Sequence, residues 1–141
     1  MKFIKLSRGN HKQGLGVGCA MEAVSALNGE MWTDQPECVD PVIGAFVRGV
    51  NDAMPDDQTR AKYLSPRLIY MIGTRGTLND SIQRAYIVAD FAIHKFAPIA
   101  LHAAGLHAEA EKLEALEKIV DPMTAKRAAG AAGWAAGSAA R

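Results

Sequence analysis

This chain of 141 residues has little of what usually announces a function. It has only two cysteines, Cys19 and Cys38, with no C-x-x-C pair and no apolar secretory segment after Met1. A disulfide framework is therefore not expected, and free thiols in a cytoplasmic protein are. It lacks charge of one sign, since the formal net charge is +1, so there is no electrostatic case for nucleic acid or for a membrane surface. It also lacks a long apolar run, because His94, Lys95 and Pro98 interrupt the best stretch well short of the roughly 20 residues that a membrane span needs. No residue set has the spacing of a paired metal site, a catalytic triad or a nucleotide-binding loop.

What is present describes a globular protein. Apolar residues make up 49% of the chain and charged residues 22%, enough to build one core without metal or disulfide support. Residues 2 to 6 alternate Phe3, Ile4 and Leu6 with Lys2 and Lys5, and give the only strand-like stretch. Such a strand needs a partner. It could pair with its copy in another subunit, pair with residues near 14 to 18, or lie extended over helices.

The remainder reads as helix. Ala20, Val24 and Leu27 fall at helical spacing over 19 to 27, and Asn28-Gly29 supplies a stop. Residues 30 to 39 form a loop held by Trp32 and Pro36, after which Asp40-Pro41 starts a second helix. The stripe of that helix is Val42, Ile43, Phe46, Val47 and Val50, with Arg48, Asn51 and Asp52 expected outside. Pro55-Asp56-Asp57 begins a third helix, and Ser65-Pro66 a fourth that ends at Gly73. Asn79 or Asp80 caps a fifth, in which Ile82, Tyr86, Ala89, Ile93 and Phe96 recur at three and four residues until Pro98 kinks or breaks it. Residues 106 to 118 carry a thin stripe of Leu106, Ala110, Leu113 and Leu116 or Glu117. Asp121-Pro122 opens an alanine-rich segment with Gly130, Gly133 and Gly137, expected as a weak helix that frays at its end. The expected fold is all-α, a single-domain bundle of six or seven helices with a short extended N-terminal segment, divided into a globular part (1–121) and a C-terminal helix or tail (122–141).

The segments GCAMEAVSALNGEMWTDQPECVDPVIGAFVRGVNDAMPDD and LSPRLIYMIGTRG, followed by the alanine-rich tail, carry a resemblance that covers nearly the whole chain. The pattern resembles a group of small proteins from actinobacteria and the phages that infect them, with a Gly-Ser-His-like turn, C-x-M-E-A-V, G-E-x-W-x-D-x-P-x-C, P-V-I-x-A-F, N-D and P-x-L-x-G-T-R-G. The first turn departs from it, reading Gly9-Asn10-His11, and the tail is short with a single Trp134. The resemblance implies no activity. Its phage association implies a protein that binds and neutralises a host protein or a signalling molecule.

Candidate chemistry is spread along the chain. Gly14, Gly16 and Gly18 before a helix suggest a phosphate cradle, but the pattern is not G-x-G-x-x-G, and a tight turn is the plainer reading. Cys19 at a helix N-terminus with His11 upstream suggests a thiol enzyme assisted by Glu22 or Asp34, against which stands the usual fate of such a cysteine as a packing residue. Glu22, polar in an apolar helix, needs a partner, with Arg48 or Arg67 as candidates. Arg67 and the loop Gly73-Thr74-Arg75-Gly76-Thr77 supply guanidinium groups and backbone donors for an anion, and Arg8, Asn10, His11 and Lys12 would join them if the fold brings the loops together. His94, His102 and His107 lack the i, i+4 spacing of a helical metal pair and read as surface or interface residues. The leading expectation is a non-enzymatic protein, without metal or cofactor, that binds a small anionic, nucleotide-like ligand or a host protein through Arg8, Asn10, His11, Lys12, Glu22, Arg67, Thr74 and Arg75. The alternatives are the thiol enzyme and a structural homo-oligomer formed through the C-terminal helix.

Overall fold

Several helix starts fall where capping side chains stand in the computed structural model, which describes residues 4–139. Helix α1 (Ala20–Leu27) is capped by Cys19, whose Sγ accepts the Glu22 N–H at 3.4 Å while Glu22 Oε2 accepts the Cys19 N–H at 2.7 Å. This is a capping box with a thiol in the hydroxyl's place. The helix stops at Asn28, and Gly29 turns the chain at φ 73°. Helix α2 (Pro41–Ala53) starts where Asp40 Oδ1 accepts the N–H groups of Val42 and Ile43, at 2.9 and 3.3 Å. Asp56 caps α3 (Asp57–Tyr63) in the same way through Thr59.

The expected fourth helix is a 3-10 helix, Ser65–Met71. Its three-residue repeat buries Leu68 and Met71 and leaves Ile69 and Tyr70 outside. Of the three fates open to the N-terminal segment, the observed one is pairing with 14 to 18. Strand β1 (Lys5–Leu6) runs parallel to β2 (Val17–Gly18), with Lys5 opposite Val17 and Leu6 opposite Gly18. Residues 2 and 3 of the expected strand lie outside the described residues.

Contacts divide the chain into two compact units, Met1–Ser81 and Ile82–Arg141. The first buries Leu6, Met21, Val24, Val39, Val47 and Leu68 in one cluster, with smaller residues of α1 between them. Here α2 faces otherwise than its stripe suggested. Asn51 is 0% exposed and Phe46 is 42% exposed, while Arg48 and Asp52 are half-buried. The reason is hydrogen bonding across the unit. Asn51 Oδ1 accepts the Ala20 N–H at 3.2 Å and its Nδ2 donates to the Ser7 carbonyl at 3.0 Å, which ties α1, α2 and the N-terminal segment together. Arg60 is buried as well, and donates to the Asn51 and Met54 carbonyls at the end of α2, at 2.7 and 2.8 Å.

Helix α4 (Leu78–Phe91) is capped by Thr77 in place of the expected Asn79 or Asp80. Thr77 Oγ1 accepts the Asp80 N–H at 3.2 Å, and Asp80 Oδ2 accepts the Thr77 N–H at 2.7 Å. A π-helical turn, Ala92–Phe96, joins α4 to α5 (Ala97–Ala103). This turn is the form taken by the break expected at Pro98: the Ala97 N–H reaches back five residues to Ala92, and Pro98, which has no N–H to donate, begins the next helix. Helices α6 (His107–Glu114) and α7 (Pro122–Ala139) complete the second unit, whose core holds Leu101, Ala110, Leu113 and Ala135 with Ile93, Leu106 and Leu116 at its edge. The expected α4 stripe contributes only Ile93 to that core, and α4 itself has no buried residue. The tail is regular helix to Ala139, with Ala128 and Ala135 buried seven residues apart, and Ala140 and Arg141 lie outside the described residues. The class is all-α, with seven α-helices among the described residues and an extended N-terminal segment.

Two glycines carry opposite predictions. A Cβ at Gly18 would lie 2.9 Å from Trp32 Cη2 and 3.2 Å from Ile4 Cγ2, so Gly18→Ala should destabilise the protein by about 1–3 kcal/mol. Gly49, inside α2, has nothing within 4 Å of such an atom, so Gly49→Ala should stabilise by about 0.5–1 kcal/mol. Urea unfolding midpoints of the two variants should move in opposite directions.

Candidate functional site

The first unit contains two polar centres. The first is built on Glu22, in the opening turn of α1. Its carboxylate is 2% exposed and curls back to the helix N-terminus, where Oε2 accepts the Cys19 N–H. Oε1 accepts the His11 N–H at 2.7 Å, and Oε2 lies 3.1 Å from His11 Nδ1. The Trp32 indole then donates to the His11 carbonyl at 2.7 Å. The expected arginine partners are replaced by His11: Arg48 donates to the Asp34 carbonyl at 2.7 Å, and Arg67 to the Tyr63 carbonyl at 2.6 Å. Burial pushes the Glu22 carboxyl up, but the two N–H donors and the imidazole outweigh it and hold the group below its ordinary value.

The same packing bears on the thiol chemistry. Burial raises the Cys19 pKa to about 11, against the lowering effect of the Glu22 N–H. Burial, with the Glu30 carboxylate beside it, raises Cys38 likewise to about 11. Neither sulfur is a thiolate near neutral pH, and the Cys19 thiol is spent as a helix cap. Asp34, the alternative acid, has its carboxylate 4.0 Å from Arg48 Nε. The glycine-rich stretch is no cradle either. Gly16 and Gly18 carbonyls accept from Lys5 and Ser7, and the first N–H groups of α1 are taken by Glu22 and Asn51.

The second centre is a cavity of about 230 Å³ beside the start of α2, lined by Gln35, Pro36, Val39, Asp40, Pro41, Gly44, Arg48 and Arg75. The loop after the 3-10 helix is pinned there. Thr74 Oγ1 accepts the Asp40 N–H at 3.1 Å and donates to the Met71 carbonyl at 2.7 Å, and the Arg75 N–H donates to the Cys38 carbonyl at 3.1 Å. The Arg75 guanidinium has a long contact, 3.5 Å, to the Val39 carbonyl. Asp40 is fully buried, with Oδ1 on the helix N–H groups and Oδ2 accepting the Ser81 hydroxyl at 2.6 Å.

The structure thus joins His11 to Glu22, and sets Thr74 and Arg75 against the turn before α2. The loops 8–12 and 73–77 bond to different partners: the first to Glu22, Trp32 and Asp52, the second to Met71, Cys38 and Asp40. Arg8, Asn10, Lys12 and Arg67 are exposed. Of the polar and charged residues that line the cavity, sequence reasoning assigned only Arg75 to a ligand and missed Gln35, Asp40 and Arg48. Arg48 lies about two turns past Asp40-Pro41, a signal for a helix start but not for what meets it. Among the described residues, no group of three or more His, Cys, Asp or Glu is placed to hold a metal ion. Comparison of the chain with protein-family models, with curated proteins and with solved structures finds no match.

The depressed Glu22 carboxyl makes a pH prediction. A carboxylate bound more tightly in the folded state contributes stability above its unfolded pKa, about 4.3, and that stability is lost as pH falls through the folded value. Glu22→Gln should therefore lower stability at pH 7 by about 2–4 kcal/mol, from the loss of charged hydrogen bonds around a buried group. Urea midpoints measured from pH 7 to pH 3 should fall more shallowly with acid in the variant than in the parent.

Proposed function

We propose that the protein is a non-enzymatic binding protein whose ligand is a small anionic molecule, held in the cavity between Arg48 and Arg75. The observation that carries this reading is the Arg75 guanidinium, which lines the cavity beside Arg48 with only a long 3.5 Å contact to the Val39 carbonyl. Arginine offers a planar fork suited to phosphate or carboxylate. The volume suits a phosphate or carboxylate with a small body, such as the phosphate and sugar of a mononucleotide, and not a larger cofactor. The elevated pKa of both thiols supports binding over thiol catalysis.

Calorimetric titration with inorganic phosphate and nucleoside mono- and triphosphates tests the reading. Arg75→Ala, at an exposed position, should fold normally and weaken binding by about 1.5–3 kcal/mol, the worth of a charged hydrogen bond. Arg75→Lys should recover only part of it. An absence of heat and of thermal stabilisation at millimolar ligand sinks the proposal.

A second reading, association with another copy of the chain, is favoured by the second unit. Ile87, Phe91, Phe96 and Ile99 are exposed along α4, the π turn and α5, with the rings of Phe91 and Phe96 6.3 Å apart. A 14-residue helix that buries no residue is marginal by itself, so a contact that covers it would stabilise it. The proposed interface is therefore on α4 and α5 rather than on the C-terminal helix, since α7 already packs on α6 through Ala131 and Ala135. Light scattering should give a dimer mass for the parent and a monomer mass for Phe91→Glu, and a monomeric parent at about 100 µM would sink it.

A further inference from the structure

The chain has four histidines, and their surroundings divide them into two kinds. His11 is bound to Glu22. His94 is tied at both ring nitrogens, with Nδ1 3.1 Å from the Asp90 carbonyl and Nε2 3.0 Å from the Leu116 carbonyl. His102 and His107 are different. They stand on either side of the turn between α5 and α6, where Gly105 at φ 78° reverses the chain and the Leu106 N–H donates to the Leu101 carbonyl at 2.9 Å. Leu101 is buried and Leu106 packs beside it, so the turn is fixed from within. This geometry brings His102 Nδ1 to 2.9 Å from His107 Nδ1, with the ring centroids 5.2 Å apart. On its far side, His102 Nε2 lies 3.6 Å from Glu114 Oε1.

We propose that His102 and His107 form a two-histidine site for a divalent transition-metal ion, Cu(II) above others, with Glu114 as a positioning carboxylate. Two imidazole nitrogens at this separation are close enough to share one ion, and the pair is exposed. For metal–nitrogen bonds of about 2.0–2.1 Å, two ligands at a right angle are about 2.9 Å apart, whereas two at the tetrahedral angle are about 3.4 Å apart. The observed 2.9 Å is a hydrogen-bond distance between the two rings, and it is also short enough for both nitrogens to reach one ion once the proton between them is displaced; copper(II) is the tightest binder of the divalent series. Glu114 Oε1 stands 3.6 Å from His102 Nε2, and a small approach of this exposed side chain would let it accept the Nε2 proton and leave the Nδ1 lone pair for the metal. His107 donates its Nδ1 proton to that lone pair when no metal is present. On binding, this proton moves through solvent to His107 Nε2, and both Nδ1 atoms become ligands. Water fills the remaining positions, so the expected affinity is micromolar.

The test is calorimetric titration of the full chain with copper(II) chloride alone, in a buffer that does not bind metal. One site is expected. His102→Ala and His107→Ala should each lower the affinity at least tenfold, and the double variant should remove the site, which also accounts for any copper held at the N-terminal amine. Glu114→Gln should weaken binding by about tenfold, the low end of the range for such outer carboxylates. In proton NMR, substoichiometric copper should broaden the ring signals of His102 and His107 before those of His11 and His94. Nickel(II) should bind more weakly than copper, and zinc(II) more weakly still. Unchanged affinity in either single variant, equal broadening of all four histidines, or tighter binding of zinc than of copper would overturn the site. Unchanged affinity in Glu114→Gln would overturn the role given to that residue.

Discussion

The first unit depends on one buried carboxylate. Glu22 is charged, almost wholly out of water and inside an apolar helix, an arrangement that is costly unless every lone pair has a donor. The donors come from two places far apart in sequence. Cys19 supplies an N–H from the adjoining turn, while His11 supplies both an N–H and its ring. Satisfying the charge therefore fixes the path of the N-terminal loop. It also fixes Trp32, whose indole needs the His11 carbonyl and whose ring lies so close over Gly18 that no side chain fits there.

The other buried polar residues extend the same logic through α2. Asn51 joins the N–H of Ala20 to the carbonyl of Ser7, Arg60 closes the carbonyls at the end of the helix, and Asp40 opens the helix while receiving Ser81. Each satisfies backbone groups that a helix end or an irregular segment would otherwise leave without partners. The cavity follows from this arrangement. With Asp40 held from both sides and Thr74 bonded to its N–H, the loop that carries Arg75 has one place to lie, beside the helix that carries Arg48.

These relations explain what could be read from the sequence. Capping is local chemistry, so Asp40-Pro41, Asp56, Asp121-Pro122 and the stops at Gly29 and Gly73 were legible. The inward face of α2 was not, because Phe46 is the more apolar residue and Asn51 the buried one. That rotation is decided by backbone groups 31 and 44 positions away. Glu22 was recognised as needing a partner, but His11 was not recognised as that partner, since its own N–H is half of the interaction. Thr74 and Arg75 were named from the donor-rich loop, and Arg48 escaped because nothing local to it marks a cavity. The two histidines at the α5–α6 turn escaped for a geometric reason. The helical rule of four residues does not describe a pair brought together by a glycine reversal.

The way polar groups are consumed in the first unit also bears on the sign of the proposed ligand. Glu22 and Asp40 accept hydrogen bonds from donors of the fold, and Asp52 is held low chiefly by the Gly9 N–H and then by Asn51. Glu30 is engaged by Asn28 and by the N–H groups of Glu37 and Cys38. The acidic side chains thus serve as acceptors for backbone and loop donors, and little of their capacity is left for a ligand. Cationic groups are treated otherwise: Arg60 is absorbed, Arg48 is partly satisfied by Asp34, and Arg75 retains most of its five donors. A surface that spends its acceptors internally and keeps donors in a concavity favours an acceptor-rich guest. Phosphate and carboxylate groups have that character, so the selectivity proposed for the cavity arises from the same bookkeeping of hydrogen bonds that holds the unit together.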